Sequence, residues 1–356
     1  MKNKNLCRLI IGLSLFCLVY ILICQRPLGH EFHLTPDWAV PIDRVQEKKD
    51  DDTLIPFRLG QTIGYFTESG RIISSTPYPY NAAISDNYYT IYGASNEDTV
   101  VYNTDFETAG TIHEPGFPFF SGDRIFVFLP GGTALAEYDI TGEKKWEYEY
   151  YAPITAFDST EKGAVAGFAD GFIISFDNDG TIDQQYFPGG SEIEIILGAG
   201  ISKNGKYIAC VSGQKDQRFV VSEKNGELSK IIFHEYLPKD FARQVKVKFN
   251  DASDTVYYNY NGGIGIVSLT MQKSAHIPVS GVVTQMEEST AENLVFVLSH
   301  DSSQNGSSYT VTAIEPFSHV VGTFTFDADH AFMQIRGDKL FIGKDSKIFR
   351  LTISKR

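Results

Sequence analysis

The chain contains few cysteines, and most of them lie at its N-terminus. Four are present among 356 residues, and Cys7, Cys17 and Cys24 fall before position 25. Cys210 is the single cysteine of the remaining chain, which excludes an internal disulfide there even in an oxidising compartment. The apolar sequence around it, Ile208 to Val211, is typical of a buried strand. Cys210 is therefore predicted to be a small apolar core residue.

Basic residues are also scarce. The chain has 31 Lys and Arg against 44 Asp and Glu, which gives a formal net charge of -13. The remainder after position 26 is more acidic still, with a net charge of -17, because the first 26 residues carry basic groups and no acid. Such a chain is repelled by nucleic-acid phosphates and by anionic lipids. We therefore expect its partners to be proteins and not nucleic acids. The basic residues of this N-terminal stretch are Lys2, Lys4, Arg8 and Arg26.

One uncharged run stands out at the N-terminus. It covers 16 residues, from Leu9 to Cys24, and three basic residues precede it, Lys2, Lys4 and Arg8. This length is short for a membrane span, which needs about 20 apolar residues. Gln25-Arg26-Pro27 offers no small-x-small cleavage site, so the run predicts an uncleaved signal anchor, one transmembrane helix with its N-terminus in the cytoplasm. A cleaved signal peptide and lipidation at Cys24 are the alternatives, the latter disfavoured by the bulky Ile23.

Helical periodicity is nearly absent beyond Phe57. Short runs rich in Tyr, Phe, Val, Ile and Thr alternate with turn residues instead, which is the pattern of β-strands. The clearest are Tyr88–Tyr92, Arg124–Phe128 and Leu294–Leu298. The sequence therefore predicts an all-β fold.

The strands recur as a unit of four. The turn between the third and fourth runs returns every 35 to 46 residues, and this spacing is the mark of a β-propeller. We predict about seven four-stranded blades, with eight or six as the alternatives. Three strands within Ala331–Ser354 would form the last blade, and Arg71–Ser75 is expected to add its fourth strand and close the ring. The marked turns lie near Gly70, Glu107, Gly142, Gly180, Gly226, Gln272 and Phe317.

One unit carries a family resemblance. Leu135 to Trp146 (LAEYDITGEKKW) is an apolar strand followed by Asp, a Thr-Gly turn, basic residues and Trp. It resembles the repeat of quinoprotein-type (PQQ-like) propellers, and is also similar to the non-enzymatic propeller of the outer-membrane assembly machinery and to WD40-like repeats. Phe176–Gly180 and Val221–Gly226 resemble degenerate copies. The resemblance implies a propeller fold and a protein-binding role.

Catalytic and cofactor motifs are missing. Trp146 is the only tryptophan of the repeat region, whereas quinone enzymes dock their flat cofactor on recurrent aromatic residues. Asp177–Gly180 resembles the opening of a calcium loop, but position 12 of such a loop would be Pro188 rather than a glutamate. There is no Gly-x-Ser-x-Gly elbow and no phosphate-binding glycine loop. We therefore expect no enzyme, no cofactor, no metal and no catalytic residue.

These observations divide the chain into three parts. Residues 1–26 are a cytoplasmic stub and signal anchor, 27–56 a juxtamembrane linker, and 57–356 a propeller closed by pairing of its N- and C-terminal strands. The expected location is the inner (cytoplasmic) membrane, crossed once, with the propeller on the extracytoplasmic (periplasmic) side.

The predicted function is that of a non-catalytic protein-interaction scaffold, held by its N-terminal helix and working in cell-envelope assembly with envelope proteins as partners. Tyr148, Tyr150 and Tyr151 are the candidate partner-binding residues, since acids alternate with aromatics in Trp146–Tyr151 and exposed aromatics anchor protein partners. The alternatives are a hydrolase or lyase, or a small-ligand-binding protein, with a site at the central channel.

Overall fold

The computed structural model describes residues 12–17, 19–20, 32–93, 97–225, 228–303 and 306–355. Within these ranges the strands form eight separate antiparallel sheets. Seven sheets have four strands and one has three, and each sheet packs against the next along the chain through a shared apolar layer. The protein is therefore an eight-bladed β-propeller.

The blades are numbered in the order in which their first strands occur, except that strand β1 (Phe32–Pro41) joins the last blade. Blade 1 contains β2 (Leu54–Leu59), β3 (Thr62–Thr67) and β4 (Ile72–Pro77). Blade 2 contains β5 (Asn81–Ile84), β6 (Tyr88–Tyr92), β7 (Thr99–Asn103) and β8 (Thr108–Ile112). Blade 3 contains β9 (Phe117–Ser121), β10 (Arg124–Phe128), β11 (Ala134–Tyr138) and β12 (Lys144–Glu149). Blade 4 contains β13 (Ile154–Thr160), β14 (Gly163–Phe168), β15 (Ile173–Phe176) and β16 (Ile182–Tyr186).

The second half of the ring repeats this order. Blade 5 contains β17 (Ile196–Ile201), β18 (Tyr207–Ser212), β19 (Arg218–Asn225) and β20 (Leu228–Tyr236). Blade 6 contains β21 (Val247–Phe249), β22 (Thr255–Tyr260), β23 (Gly263–Ser268) and β24 (Lys273–Pro278). Blade 7 contains β25 (Val282–Ser289), β26 (Leu294–Ser303), β27 (Gly306–Ile314) and β28 (Val320–Asp327). Blade 8 contains β29 (Ala331–Arg336), β30 (Lys339–Lys344) and β31 (Lys347–Lys355), followed in space by β1.

Burial along a blade explains its residue pattern. Middle strands such as β14 and β23 are buried throughout, because neighbouring blades cover both of their faces, and their sequences are nearly continuous apolar runs. Fourth strands such as β12 and β28 alternate between exposed and half-buried positions, because only one face meets the next blade. Cys210 is fully buried in β18, as its sequence context predicts.

The predicted number of seven blades is wrong, because the structure contains eight. The difference arises near the N-terminus, where β2 to β4 form a blade of their own. Arg71–Ser75 was expected to complete the last blade, but its residues belong to the β3–β4 hairpin and to β4. The fourth strand of blade 8 is instead β1, which lies in the segment that the sequence assigns to a linker.

The predicted transmembrane helix is also corrected. Among the described residues, no helix combines the length and the apolar content needed to cross a membrane. Of the predicted segment Leu9–Cys24, residues 12–17 and 19–20 are described and are helical. The remaining positions of that segment lie outside the described residues.

Strand β1 closes the ring through pairing with β31. The register runs from Phe32 opposite Lys355 to Pro41 opposite Lys347, so both chain ends share one sheet. Asp37 of β1 accepts hydrogen bonds from Thr352 (2.7 Å) and from Arg350 Nε (2.9 Å). These hydrogen bonds hold the pKa of Asp37 below its usual value. The closure leaves no free edge in blade 8 on the side of β31.

Two tryptophans pack against glycines of the neighbouring blade in equivalent positions. Trp146 of blade 3 lies over Gly180 in a turn of blade 4, and Trp38 of blade 8 lies over Gly70 in the matching turn of blade 1. Both glycines have positive φ (+78° and +89°), and a Cβ would meet the tryptophan ring at 2.4 Å at Gly180 and 3.0 Å at Gly70. Only glycine satisfies both constraints. Trp38 therefore occupies the repeat position that the sequence analysis found only at Trp146.

Glu137 of β11 is the most enclosed charged residue of blade 3, with 1% of its surface exposed. Its carboxylate accepts bonds from Arg124 (2.5 and 3.1 Å), from Lys145 Nζ (2.8 Å) and from the indole Nε1 of Trp146 (2.8 Å). Burial alone would raise the pKa of Glu137, but the hydrogen bonds from Arg124 and Lys145 outweigh it and lower the pKa. This carboxylate thus orients the tryptophan that docks on blade 4.

Replacing either docking tryptophan should weaken the ring to a similar degree. Trp38→Ala and Trp146→Ala are each expected to lower the free energy of unfolding by about 2 kcal/mol, because each ring is half-buried and leaves a cavity between blades. Tyr80→Ala, at a side chain that is 73% exposed, is the control and should change stability by less than about 0.5 kcal/mol. Urea unfolding measures all three. A Trp38→Ala variant as stable as the control would contradict the place of β1 in blade 8.

Neutralising the buried Glu137 should lower the free energy of unfolding more than neutralising the exposed Glu147. Glu137→Gln is expected to destabilise the protein by about 3 kcal/mol, because Arg124 and Lys145 lose their anionic partner. Glu147→Gln, which breaks an exposed ion pair with Lys144, should cost less than about 1 kcal/mol. Because the folded-state pKa of Glu137 is lowered, its contribution is present above the unfolded pKa and disappears as pH falls through the folded pKa. Urea unfolding at pH 7 and pH 3 should therefore show the difference between Glu137→Gln and the wild type shrinking at acid pH.

Candidate functional site

A row of aromatic side chains lies on the loops at one end of blades 3 to 5. Tyr151 contacts Tyr150 with ring centroids 4.2 Å apart, Tyr150 stacks on Phe172 at 4.7 Å, and Phe172 contacts Phe187 at 5.2 Å. Exposure reaches 76% for Tyr151 and 50% for Phe187. We call Tyr150, Tyr151, Phe172 and Phe187 the aromatic ridge. It is formed by the connection between blades 3 and 4, a turn within blade 4 and the connection between blades 4 and 5. Phe172 is buried (8% exposed) and links the exposed Tyr151 and Phe187 through its ring contacts.

Arg218 extends this surface onto blade 5. Its Nη1 donates to the carbonyl oxygens of Pro188 (3.3 Å) and Gly189 (3.0 Å), directly after Phe187 of the ridge. The guanidinium also lies 5.5 Å from the ring centre of Tyr236, which is 57% exposed. Tyr, Arg and other large planar side chains are the residues most often found at the centre of protein interfaces.

Acidic side chains border the ridge. Glu149, Glu192 and Glu194 are exposed, and a Cβ on Gly171 would contact Glu194 at 2.8 Å, which places Glu194 beside Phe172. The Tyr150 hydroxyl donates a hydrogen bond to Asp170 Oδ2 (3.1 Å). Burial raises the pKa of Tyr150, and hydrogen bonds with Tyr151 and Asp170 raise it further. Glu194 and Asp170 therefore give the ridge a negative rim, whereas Glu192 forms an ion pair with Lys215 (2.5 Å).

A second candidate site is the central channel. A cavity of about 1050 Å³ is lined mainly by the first strands of blades 3 to 7. Its mouth includes Gly132 and Ile154, and Ile154 follows the ridge residue Tyr151 by three positions, so ridge and mouth lie at the same end of the ring. Gln244 Nε2 donates to the carbonyl oxygen of Thr155 (2.8 Å), which links the chain before blade 6 to blade 4.

Four ionisable side chains line this channel. Lys246 and Lys248 are two residues apart at β21, so they share the channel face, and Glu287 and Asp158 come from β25 and β13. Lys248 Nζ lies 2.8 Å from Glu287 Oε2 and forms an ion pair with it. Asp158 Oδ2 accepts the backbone N–H of Ile201 (2.9 Å).

Two of these side chains, Asp158 and Lys246, have shifted pKa values. Desolvation raises the pKa of Asp158 to about 6, although hydrogen bonds from Ile201 and Ser159 act in the opposite direction. Desolvation also lowers the pKa of Lys246, with partial opposition from Glu287. Asp158 is half-buried, whereas Lys246 is exposed to the solvent of the channel, so loss of hydration concerns Asp158 more than Lys246.

The comparisons with known proteins agree on the fold. A family model described as beta-propeller protein matches residues 1–356. The chain belongs to this β-propeller family. It is 31% identical over 352 residues to a protein of Treponema pallidum (strain Nichols) that is described as uncharacterized, and the match covers 96% of this chain and 92% of that protein.

Solved structures with low sequence identity share the propeller's fold. BamB from Moraxella catarrhalis has a TM-score of 0.60 at 13% identity, covering 90% of this chain and 100% of BamB. The computationally designed Ika8 protein has a TM-score of 0.61 at 13% identity, covering 91% and 98%. KlHsv2 with loop 6CD replaced by a Gly-Ser linker has a TM-score of 0.52 at 8% identity, covering 71% and 91%. The predicted β-propeller fold is confirmed, and it is similar to the fold of BamB.

The three tyrosines that the sequence predicts to bind a partner lie in different environments in the structure. Tyr151 is largely exposed, Tyr150 is half-buried in the ridge, and Tyr148 packs between blades 3 and 4 against Phe176 (4.9 Å). Tyr148 faces the neighbouring blade because β12 is the outer strand and its exposed face carries the glutamates. Only Tyr150 and Tyr151 belong to the ridge, and binding by the three tyrosines stays a prediction.

Sequence reasoning missed the other site residues. Phe172, Phe187 and Arg218 gave no local signal, because blade packing alone brings them to Tyr150. Lys246 and Lys248 did carry one, since lysines two apart between apolar residues indicate a strand with one charged face. Among the described residues, no group of three or more His, Cys, Asp and Glu side chains is placed to hold a metal ion.

Proposed function

We propose that this β-propeller is a non-catalytic scaffold that binds protein partners on the extracytoplasmic side of the inner membrane and takes part in cell-envelope assembly. The aromatic ridge is the observation that carries the proposal. Isolated exposed aromatics are common on protein surfaces, but here successive rings lie within contact distance of one another and end beside an arginine that stacks on Tyr236. Exposed apolar patches mark interaction sites, and Tyr151 and Phe187 are the exposed members of this cluster of rings.

The rim of the ridge indicates what the partner offers. The carboxylates of Glu194 and Asp170 lie beside the ridge, and the chain as a whole is acidic. A partner with apolar anchors flanked by Lys or Arg gains both from burial of the rings and from opposite charge, and charge mainly raises its rate of association. This partner chemistry is suited to a segment of another envelope protein.

The proposed location rests on the N-terminus. The uncharged run Leu9–Cys24 follows three basic residues, which is the composition of an export signal. The single cysteine outside this region is buried, so the propeller needs no disulfide chemistry after export.

Ridge variants should lose the partner without losing the fold. A photo-crosslinking residue at position 151 is expected to capture a defined envelope protein in living cells, and Phe187→Ala should reduce this product by about tenfold or more, as loss of an interface anchor does. The same crosslinker at position 80 is the control, since Tyr80 is 73% exposed but lies outside the ridge. Equal products from positions 80 and 151, or no effect of Phe187→Ala, would contradict the assignment of the ridge.

Export has its own test. Alkaline phosphatase fused to the C-terminus of the full chain is expected to be active in cells, because the enzyme matures only outside the cytoplasm. Deleting residues 1–26 should abolish this activity while leaving the fusion protein detectable by antibody. An active fusion after the deletion, or an inactive full-length fusion, would contradict the proposed location.

A further inference from the structure

The channel has chemistry that the proposed scaffold function does not use. We propose that it binds a small organic anion, a carboxylate on an apolar chain, with the carboxylate at Lys246 and the chain against Phe119 and Phe157. The two halves of this site rest on separate observations.

The anionic half follows from an ammonium group without a partner. Within the part of the chain that the structure describes, the Nζ atom of Lys246 makes no hydrogen bond or ion pair, although Glu287 lies near enough to affect it. Glu287 is already bound to Lys248 at 2.8 Å. The Lys246 side chain is exposed to the solvent of the channel, so its ammonium group is free to form a charge-assisted hydrogen bond with a ligand carboxylate.

The apolar half follows from aromatic rings that blades 3 and 4 contribute to the lining of the cavity. Phe119, Phe128 and Phe157 form one cluster, with centroids 5.2 to 6.4 Å apart, and all three line the channel. Phe119 is still 39% exposed. Between the rings and the lysines, β17 contributes only apolar residues and glycine (Leu197, Gly198 and Ala199). Leu197 and Ala199 are already buried between blades (5% and 6% exposed), so an aliphatic chain removes apolar surface from water mainly at Phe119.

The volume of the cavity limits the size of the ligand. About 1050 Å³ is at the upper end for small-molecule sites, so a small organic molecule fits and a protein domain does not. The residues that line the cavity include no tryptophan, which distinguishes this site from the docking surface of a flat quinone.

A matched set of probes tests the proposal with the full-length protein. Hexanoate, hexylammonium and 1-hexanol share one apolar chain and differ in charge, and saturation-transfer NMR or calorimetry measures their dissociation constants. Hexanoate is expected to bind at least about tenfold more tightly than 1-hexanol, with hexylammonium weaker still. Equal affinities for the three probes, or no binding of hexanoate, would overturn the proposal.

Variants then locate the anion. Lys246→Met keeps the length of the side chain and should weaken hexanoate about tenfold, whereas Lys246→Arg should retain most of the affinity. Lys203→Met is the matched control, because Lys203 is 59% exposed and pairs with Asp251 outside the channel lining. Thermal unfolding checks that each variant is folded. If Lys246→Met and Lys203→Met bind hexanoate alike, the site is not at Lys246.

The wild-type protein supplies an independent measurement. The ionisable groups of the lining are Asp158, Lys246, Lys248 and Glu287. Lowering the pH from 7.5 to 5.5 protonates more of Asp158 and keeps Lys246 charged, so repulsion of the ligand falls and attraction is retained. The affinity for hexanoate should rise by about threefold or more. An affinity that is unchanged or that falls at pH 5.5 would count against a carboxylate held beside these groups.

Discussion

Pairing of β1 with β31 is the constraint on which the ring depends. A propeller is a closed circle of sheets, and each sheet buries its faces only if a neighbour stands on both sides. If β1 left blade 8, β31 would expose an unpaired edge and Trp38 would leave blade 1. The hydrogen bonds of Asp37 with Arg350 and Thr352 therefore hold together two parts of the chain that are more than 300 residues apart.

The same demand for contact between blades explains where the site residues are. Large aromatic side chains fill the space between neighbouring blades. Near the loops, the outermost of these side chains are exposed to solvent. The aromatic ridge is such an extension, since Tyr150 packs on Phe168 and Phe172 of blade 4 on one side and on the exposed Tyr151 on the other. The core and the candidate interface are in this sense one continuous cluster.

The local features of the chain were predictable from sequence, and its long-range pairings were not. Asp-Gly turns and alternating apolar residues predict hairpins directly, and they led to an all-β repeat fold. The number of blades depends on which strand joins Lys347–Lys355, and no local pattern states that the partner is Phe32–Pro41. This edge strand was not recognised in the sequence because it contains prolines at positions 36 and 41 and many of its residues are exposed. Tyr148 and Tyr150 show the same limit, since alternation tells which residues share a face but not whether a neighbouring blade covers it.

Ring closure by β1 also determines when the protein can be complete. The first strand of the described fold has to wait for the last one, because β31 is the final strand to be synthesised. Blades 1 to 7 each consist of neighbouring hairpins and can form as the chain emerges, whereas blade 8 requires closure of a loop of nearly the whole chain. A chain that lacks β31 would leave β1 without its partner strand, so the ring can close only after β31 has been synthesised.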